Sequence, residues 1–214
     1  MQAALIAAAV CAAILAIRAH YLGEGGRWQV YLFKPLATLL ILCIVLVAAQ
    51  PFSRPYPQIL AAGLLLSTAG DVFLMLPRDR FIAGLASFLA GHLCYIAAFS
   101  SDVSFGSGLL WWLPFFAVGG AVVAGLWGKL PSALRWPVLA YVVVIATMAG
   151  QATGRWSFVQ SPAALCAAVG AALFVVSDAT LAIDRFGRQF RAARAVTLCT
   201  YYVAQLLIAL SATI

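Results

Sequence analysis

The sequence predicts an all-α integral membrane protein, a polytopic bundle of about eight transmembrane helices forming one domain over residues 1–214. Three observations carry this prediction. Hydrophobic residues make up 65% of the chain and charged ones 9%, where a soluble domain carries about 25% charged residues. The mean hydropathy is +1.04. The apolar residues also fall into eight runs, each within the roughly 17–25 residues that cross a hydrocarbon core. At this segment length only helices satisfy their own backbone in lipid.

The runs are 3–19, 31–49, 58–76, 81–99, 109–127, 135–151, 162–183 and 193–212. The first has no basic region before Arg18 and reads as a retained span, not a cleaved signal. Lys34-Pro35 opens the second. Pro51, Pro55 and Pro57 precede the third, and Pro77 stops it. Asp79-Arg80 leads into the fourth, and Trp111 and Trp112 suit an interfacial belt on the fifth. Pro131 precedes the sixth, Pro162 starts the seventh, and a run of arginines separates the seventh from the eighth. Five cysteines lie inside these runs, odd in number and without metal-ligand spacing, which reads as small core residues.

Basic residues set the topology. Odd-numbered loops hold Arg18, Arg27, Lys34, Arg78, Arg80, Lys129, Arg135, Arg185, Arg188, Arg191 and Arg194; even-numbered ones hold only Arg54 and Arg155. Eleven against two places the odd loops in the cytoplasm and both termini outside. The net charge of +7 therefore serves orientation, and nucleic acid is not an expected partner. Membrane lipids are.

Two acids stand out. Asp71 has thirteen uncharged residues before it and five apolar ones after it, and Asp178 sits similarly in ALFVVSDATLAI. A carboxyl at such depth is expensive and marks a functional site. Each lies five residues before its predicted inner helix end, so the pair is expected at matched depth, facing each other in the cytoplasmic leaflet. Ser67 and Ser177 adjoin them. Lys34, His92, Tyr201, Tyr202 and Gln205 are the other polar candidates in the inner half or middle of the bilayer. The bland alternatives are a snorkelling Lys34, a structural His92, a packing Tyr202 and a helix-bridging Gln205. The Asp-Arg-Phe sequences at 79–81 and 184–186 hint at a parallel four-plus-four duplication.

The combination Ala69-Gly70-Asp71-Val72-Phe73-Leu74-Met75, then Phe81-x-x-Gly84-Leu85-x-x-Phe88-x-x-Gly91-His92-x-x-Tyr95, then Gly170-Ala171-x-x-Phe174-x-x-Ser177-Asp178, with Lys34-Pro35-Leu36 and Tyr202–Gln205, resembles the YhhN family of multispanning proteins. The resemblance runs from about residue 30 onward. It implies about eight helices and hydrolysis of the vinyl ether bond of lysoplasmalogens to a fatty aldehyde and a glycerophospho-headgroup. The implied partner is a one-chain lysophospholipid in a bacterial inner membrane, with no cofactor. Asp71 and Asp178 would be the catalytic acids; Lys34, His92, Tyr201, Tyr202, Gln205, Ser67 and Ser177 would contact substrate.

Vinyl ether cleavage needs a general acid and a group that stabilises an oxocarbenium ion and activates water. Paired carboxyls do this for glycosides. The rival of another class is a proton-coupled or small-molecule transporter using the same acids. A zinc site is disfavoured, since His20 and His92 are the only histidines. The flanks of the two acids also miss the signature of intramembrane aspartyl proteases.

Overall fold

A computed structural model describes residues 1–48, 55–77 and 80–214 of the chain. Among these residues there are eight helices long and apolar enough to cross a membrane. They are α1 (Gln2–Ala19), α2 (Arg27–Leu46), α3 (Pro55–Met75), α4 (Phe81–Phe99), α5 (Leu113–Leu126, which spans together with the 3-10 turn Leu109–Trp112 before it), α6 (Ser132–Val159), α7 (Pro162–Phe186) and α8 (Ala193–Leu210). Short 3-10 turns precede α2 and α5. The second turn leaves Gly108 at φ +68°, a left-handed conformation that glycine adopts without steric cost.

Six helices close a ring in the order α2, α3, α4, α6, α7, α8 and back to α2. In this ring α3 and α7 lie on opposite sides. Outside it, α1 packs on α2 and α8, while α5 packs on α6 and α7. Small residues let the helices approach, because packing and not the hydrophobic effect drives association in lipid. The α1 face is Ala9, Ala12, Ala13 and Ala16, all buried. At Gly70 an added Cβ would stand 2.6 Å from the Phe88 ring, so α3 and α4 meet there only because the position is glycine. On α5 only Leu126 is buried, which makes it the outermost helix.

Several helices differ from the predicted runs. Helix α6 spans 28 residues, well beyond 135–151. Its last turns hold Gln151 and Arg155, which find partners inside the protein. Arg155 donates to Asp102 from Nε (2.8 and 3.0 Å) and Nη2 (2.7 Å), and it lies over the Tyr56 ring at 4.8 Å. Gln151 accepts from the Gly106 amide at 3.0 Å and donates to the Ser104 carbonyl at 3.3 Å. Arg155 is thus a buried clamp on the α4–α5 connection, not a loop residue. Helix α2 begins at Arg27 and carries Pro35 in its interior, so Lys34-Pro35 does not open it. The cysteines are not core residues: Cys11 and Cys199 are exposed and the other three half-buried. Pro51, Arg54, Arg78 and Asp79 lie outside the described residues.

Candidate functional site

Lys34, Thr38, Asp71 and Tyr201 converge from three ring helices. Asp71, on α3, is 1% exposed. Its Oδ1 stands 3.3 Å from Lys34 Nζ, and its Oδ2 accepts from Thr38 Oγ1 and Tyr201 Oη, both at 2.7 Å. Lys34 and Thr38 are one helical turn apart on α2, so they present to the same side. Behind Tyr201 the network continues. Gln205 Nε2 donates to Tyr201 Oη at 3.3 Å, and Tyr95 Oη donates to Gln205 Oε1 at 2.7 Å. A buried carboxylate with a cation and two hydroxyl donors has the partners that its desolvation requires. Lys34 is 8% exposed and so does not snorkel to the interface.

Asp178, on α7, has a different environment. Its Oδ2 accepts a short hydrogen bond from Tyr141 Oη of α6, and no cation pairs with it among the described residues. It is half-buried, unlike Asp71. Next to it, Ser177 Oγ donates to the Thr197 carbonyl at 3.0 Å and ties α7 to α8.

Both acids line one cavity of about 570 Å³ that extends from the ring interior to α5. Its polar wall includes Lys34, Asp71, Tyr141, Ser177, Asp178 and Tyr201. Its apolar wall comes from α5 and α6, through Phe115, Val118, Val142 and Ile145. The mouth lies where α7 ends and α8 begins, at His20, Asp184, Arg185, Gln189 and Arg194. The two carboxyls share no hydrogen bond; each belongs to its own half of the ring.

The expected spacing of five residues between each acid and its inner helix end does not hold. Asp71 is four residues from the end of α3, and Asp178 is eight from the end of α7. These distances are ~6 and ~12 Å at 1.5 Å per residue. The difference arises because α7 runs three residues past its predicted end.

The remaining candidates lie away from the cavity. Ser67 is buried on α3. Gln205 supports Tyr201 from behind. The Tyr202 ring packs on that of Tyr201 (5.1 Å) and lines a separate apolar groove against α1 and α2. His92 is fully buried beside Phe174 (4.7 Å) and Tyr141 (5.3 Å), with neither ring nitrogen hydrogen-bonded. Thr38 and Tyr141 are missing from the sequence-based set. Thr38 was legible as the residue one turn beyond Lys34. Tyr141 had only its position in an apolar run to mark it.

Comparisons with known proteins place the chain in a family. The uncharacterized membrane protein YhhN of Escherichia coli O157:H7 is 32% identical over 203 residues, covering 94% of each chain. Lysoplasmalogenase TMEM86A of Bos taurus is 32% identical over 196 residues, covering 88% of this chain and 80% of its own. Lysoplasmalogenase TMEM86B of Homo sapiens is 32% identical over 185 residues, covering 86% and 76%. No solved structure matches. The YhhN family profile matches residues 29–212, and it reaches every residue of the cavity wall except His20. This integral membrane protein therefore belongs to the YhhN family.

Proposed function

We propose that the protein is a membrane-embedded lysoplasmalogenase-like hydrolase that cleaves the vinyl ether bond of a one-chain glycerophospholipid. The observation that carries this reading is a single cavity with two unlike carboxyls at its core, an apolar wall on one side and a charged mouth at one end. The named activity of the mammalian relatives supports it.

Asp178 is the proton donor and Asp71 the ionised partner. Asp71 has the cation and hydroxyl donors that hold a buried anion, and among the described residues Asp178 has neither a cation nor a second donor. Asp178 passes its proton to the β-carbon of the vinyl ether, and the α-carbon becomes an oxocarbenium ion. The Asp71 carboxylate, from the opposite side of the ring, supplies compensating negative charge. Water adds to the α-carbon, and the Asp178 carboxylate takes up its proton. The hemiacetal collapses to the fatty aldehyde and the glycerophospho alcohol, so one water is consumed per bond broken. The half-buried Asp178 stands where water and lipid both reach it, while the fully buried Asp71 keeps a fixed charge.

The acyl-like chain lies along α5 and α6, and the headgroup points to the mouth. The arginines at 185, 188, 191 and 194, around the junction of α7 and α8, support placing that mouth in the cytoplasmic leaflet of a bacterial inner membrane. The test is aldehyde release from lysoplasmalogen by purified protein in detergent micelles. Asp71→Asn and Asp178→Asn each abolish release if the roles are right. Full turnover in either variant removes that acid from the chemistry, and a wild-type protein that releases no aldehyde rejects the activity.

A further inference from the structure

Lys34 was the one cation among the residues expected to contact substrate, but its ammonium is held by Asp71 and almost fully buried. A different cation serves the mouth. Arg194, in the first turn of α8, lines the cavity and directs Nη1 to His20 Nδ1 at 3.2 Å. A guanidinium only donates, so His20 accepts at Nδ1 and carries its proton on Nε2, a second donor at the mouth. The ion pairs seen, Lys34–Asp71 and Arg155–Asp102, do not involve Arg194. Arg185, in contrast, is stacked on Phe81 at 4.1 Å. His20, just past the end of α1, is held down to a pKa of about 4 by burial, then by Arg194 and Lys34. At neutral pH it therefore serves Arg194 as an uncharged acceptor.

Register fixes the geometry. Arg194, Thr197, Leu198 and Tyr201 all line the cavity, spaced as one face of α8. Arg194 lies seven residues, or ~10 Å, before the tyrosine that binds Asp71. A ligand spanning that face has its reacting bond beside Tyr201 and an anion two turns nearer the mouth.

We propose that Arg194, with His20, is the phosphate-binding subsite of this cavity and selects glycerophospholipids with one chain over neutral glycerol ethers of the same chain. A guanidinium fork suits a phosphodiester's paired oxygens. The proposal rests on the lipid reading above and adds the residues that read the phosphate.

The test uses binding alone, with the full-length protein in micelles and two uncleavable saturated ethers of equal chain length, 1-O-alkyl-glycerophosphocholine and 1-O-alkyl-glycerol. Each is titrated against a fluorescent lysolipid. The wild type is expected to favour the phospholipid about tenfold or more, the range of a charged hydrogen bond. Arg194→Gln brings the ratio close to one and leaves alkylglycerol affinity unchanged; Arg194→Lys, with the charge but no fork, falls between. Inorganic phosphate or glycerophosphocholine at equal concentration displaces little, because neither has a chain. A wild-type ratio near one, or a full ratio in both Arg194 variants, overturns the subsite. So does displacement by phosphate as effective as by the lipid. Aldehyde release is scored separately: a preserved, Arg194-dependent preference without turnover supports the subsite and sinks only the catalytic reading.

Discussion

In the half of the ring built from α2, α3 and α4, the acid on the middle helix is met from the preceding helix by Lys34 and Thr38. In the half built from α6, α7 and α8, the acid on the middle helix is met from the preceding helix by Tyr141, its one partner among the described residues. The succession of packed helices is the same in both halves, so the scaffold does not distinguish the acids. Their partners do. One half places a full positive charge against its carboxyl and closes it from solvent. The other offers a single hydroxyl and leaves the carboxyl half-buried beside the loosely packed α5. Chemistry that needs a fixed anion and a mobile proton within one cavity calls for that inequality.

The largest test of the inequality is to neutralise each acid in turn. Asp178→Asn is expected to lower aldehyde release by ~10²–10⁴-fold, the range of general acid catalysis, with the melting temperature in detergent nearly unchanged. Asp71→Asn is expected to lose turnover as well and also to destabilise the protein, because it strands the Lys34 ammonium. Equal melting temperatures for the two variants would erase the distinction between the halves.

Removing the cation probes the same contrast from the other side. Lys34→Met leaves the Asp71 carboxylate buried without its counter-charge, a change that typically costs about 3–5 kcal/mol. The double variant Lys34→Met/Asp71→Asn recovers most of that loss, since neither charge is then left alone. A thermal or denaturant series on the four proteins measures the coupling directly. Additive losses would mean that the pair is not interacting.

A smaller effect separates the two tyrosines. Tyr201→Phe removes one of two hydroxyl donors to Asp71 and leaves Thr38 and Lys34 in place, so it costs about 1 kcal/mol of stability. Tyr141→Phe removes the one hydroxyl bonded to Asp178 and acts on turnover, slowing it about tenfold. Steady-state rates and melting temperatures on both variants separate the two outcomes. A Tyr201→Phe protein slower than Tyr141→Phe would reverse the assignment of donor and fixed anion.

The sequence and the structure diverge where partners come from afar. Eight apolar runs were legible because lipid demands length and apolarity of every span. The run 135–151, far short of the 28-residue α6, shows the limit of that signal. Gln151 and Arg155 look like the end of a span, yet Asp102 and the backbone at 104–106 bind them inside the protein. Lys34 misled for the same reason, since its partner is 37 positions away by residue number. Asp71 and Asp178 announced themselves by their cost in an apolar run. Tyr141 and Thr38 carry no such cost and stayed hidden. His92 sits in a conspicuous motif but lies among aromatic rings away from the cavity, because a sequence motif does not reveal which side of its helix faces which neighbour.

The smallest prediction uses His20 as a reporter of the first half's charge. Its folded pKa of about 4 lies below the ordinary 6.5, owing first to burial and then to Arg194 and Lys34. The folded state therefore binds fewer protons than the unfolded one between those values. The stability that His20 contributes is fully present above pH 6.5, is lost as pH falls from 6.5 to 4, and changes no further below that. Only two histidines occur in the chain, so a histidine-labelled sample in detergent gives two imidazole signals, and His20→Gln assigns them. The His20 signal is expected to titrate near pH 4 in the wild type and to move upward in Lys34→Met, where one of the two neighbouring cations is gone. It moves upward again in Arg194→Gln. An unshifted signal in Lys34→Met would mean that the charge of the buried pair is not felt at the mouth, and that the first half of the ring acts on the cavity through Asp71 alone.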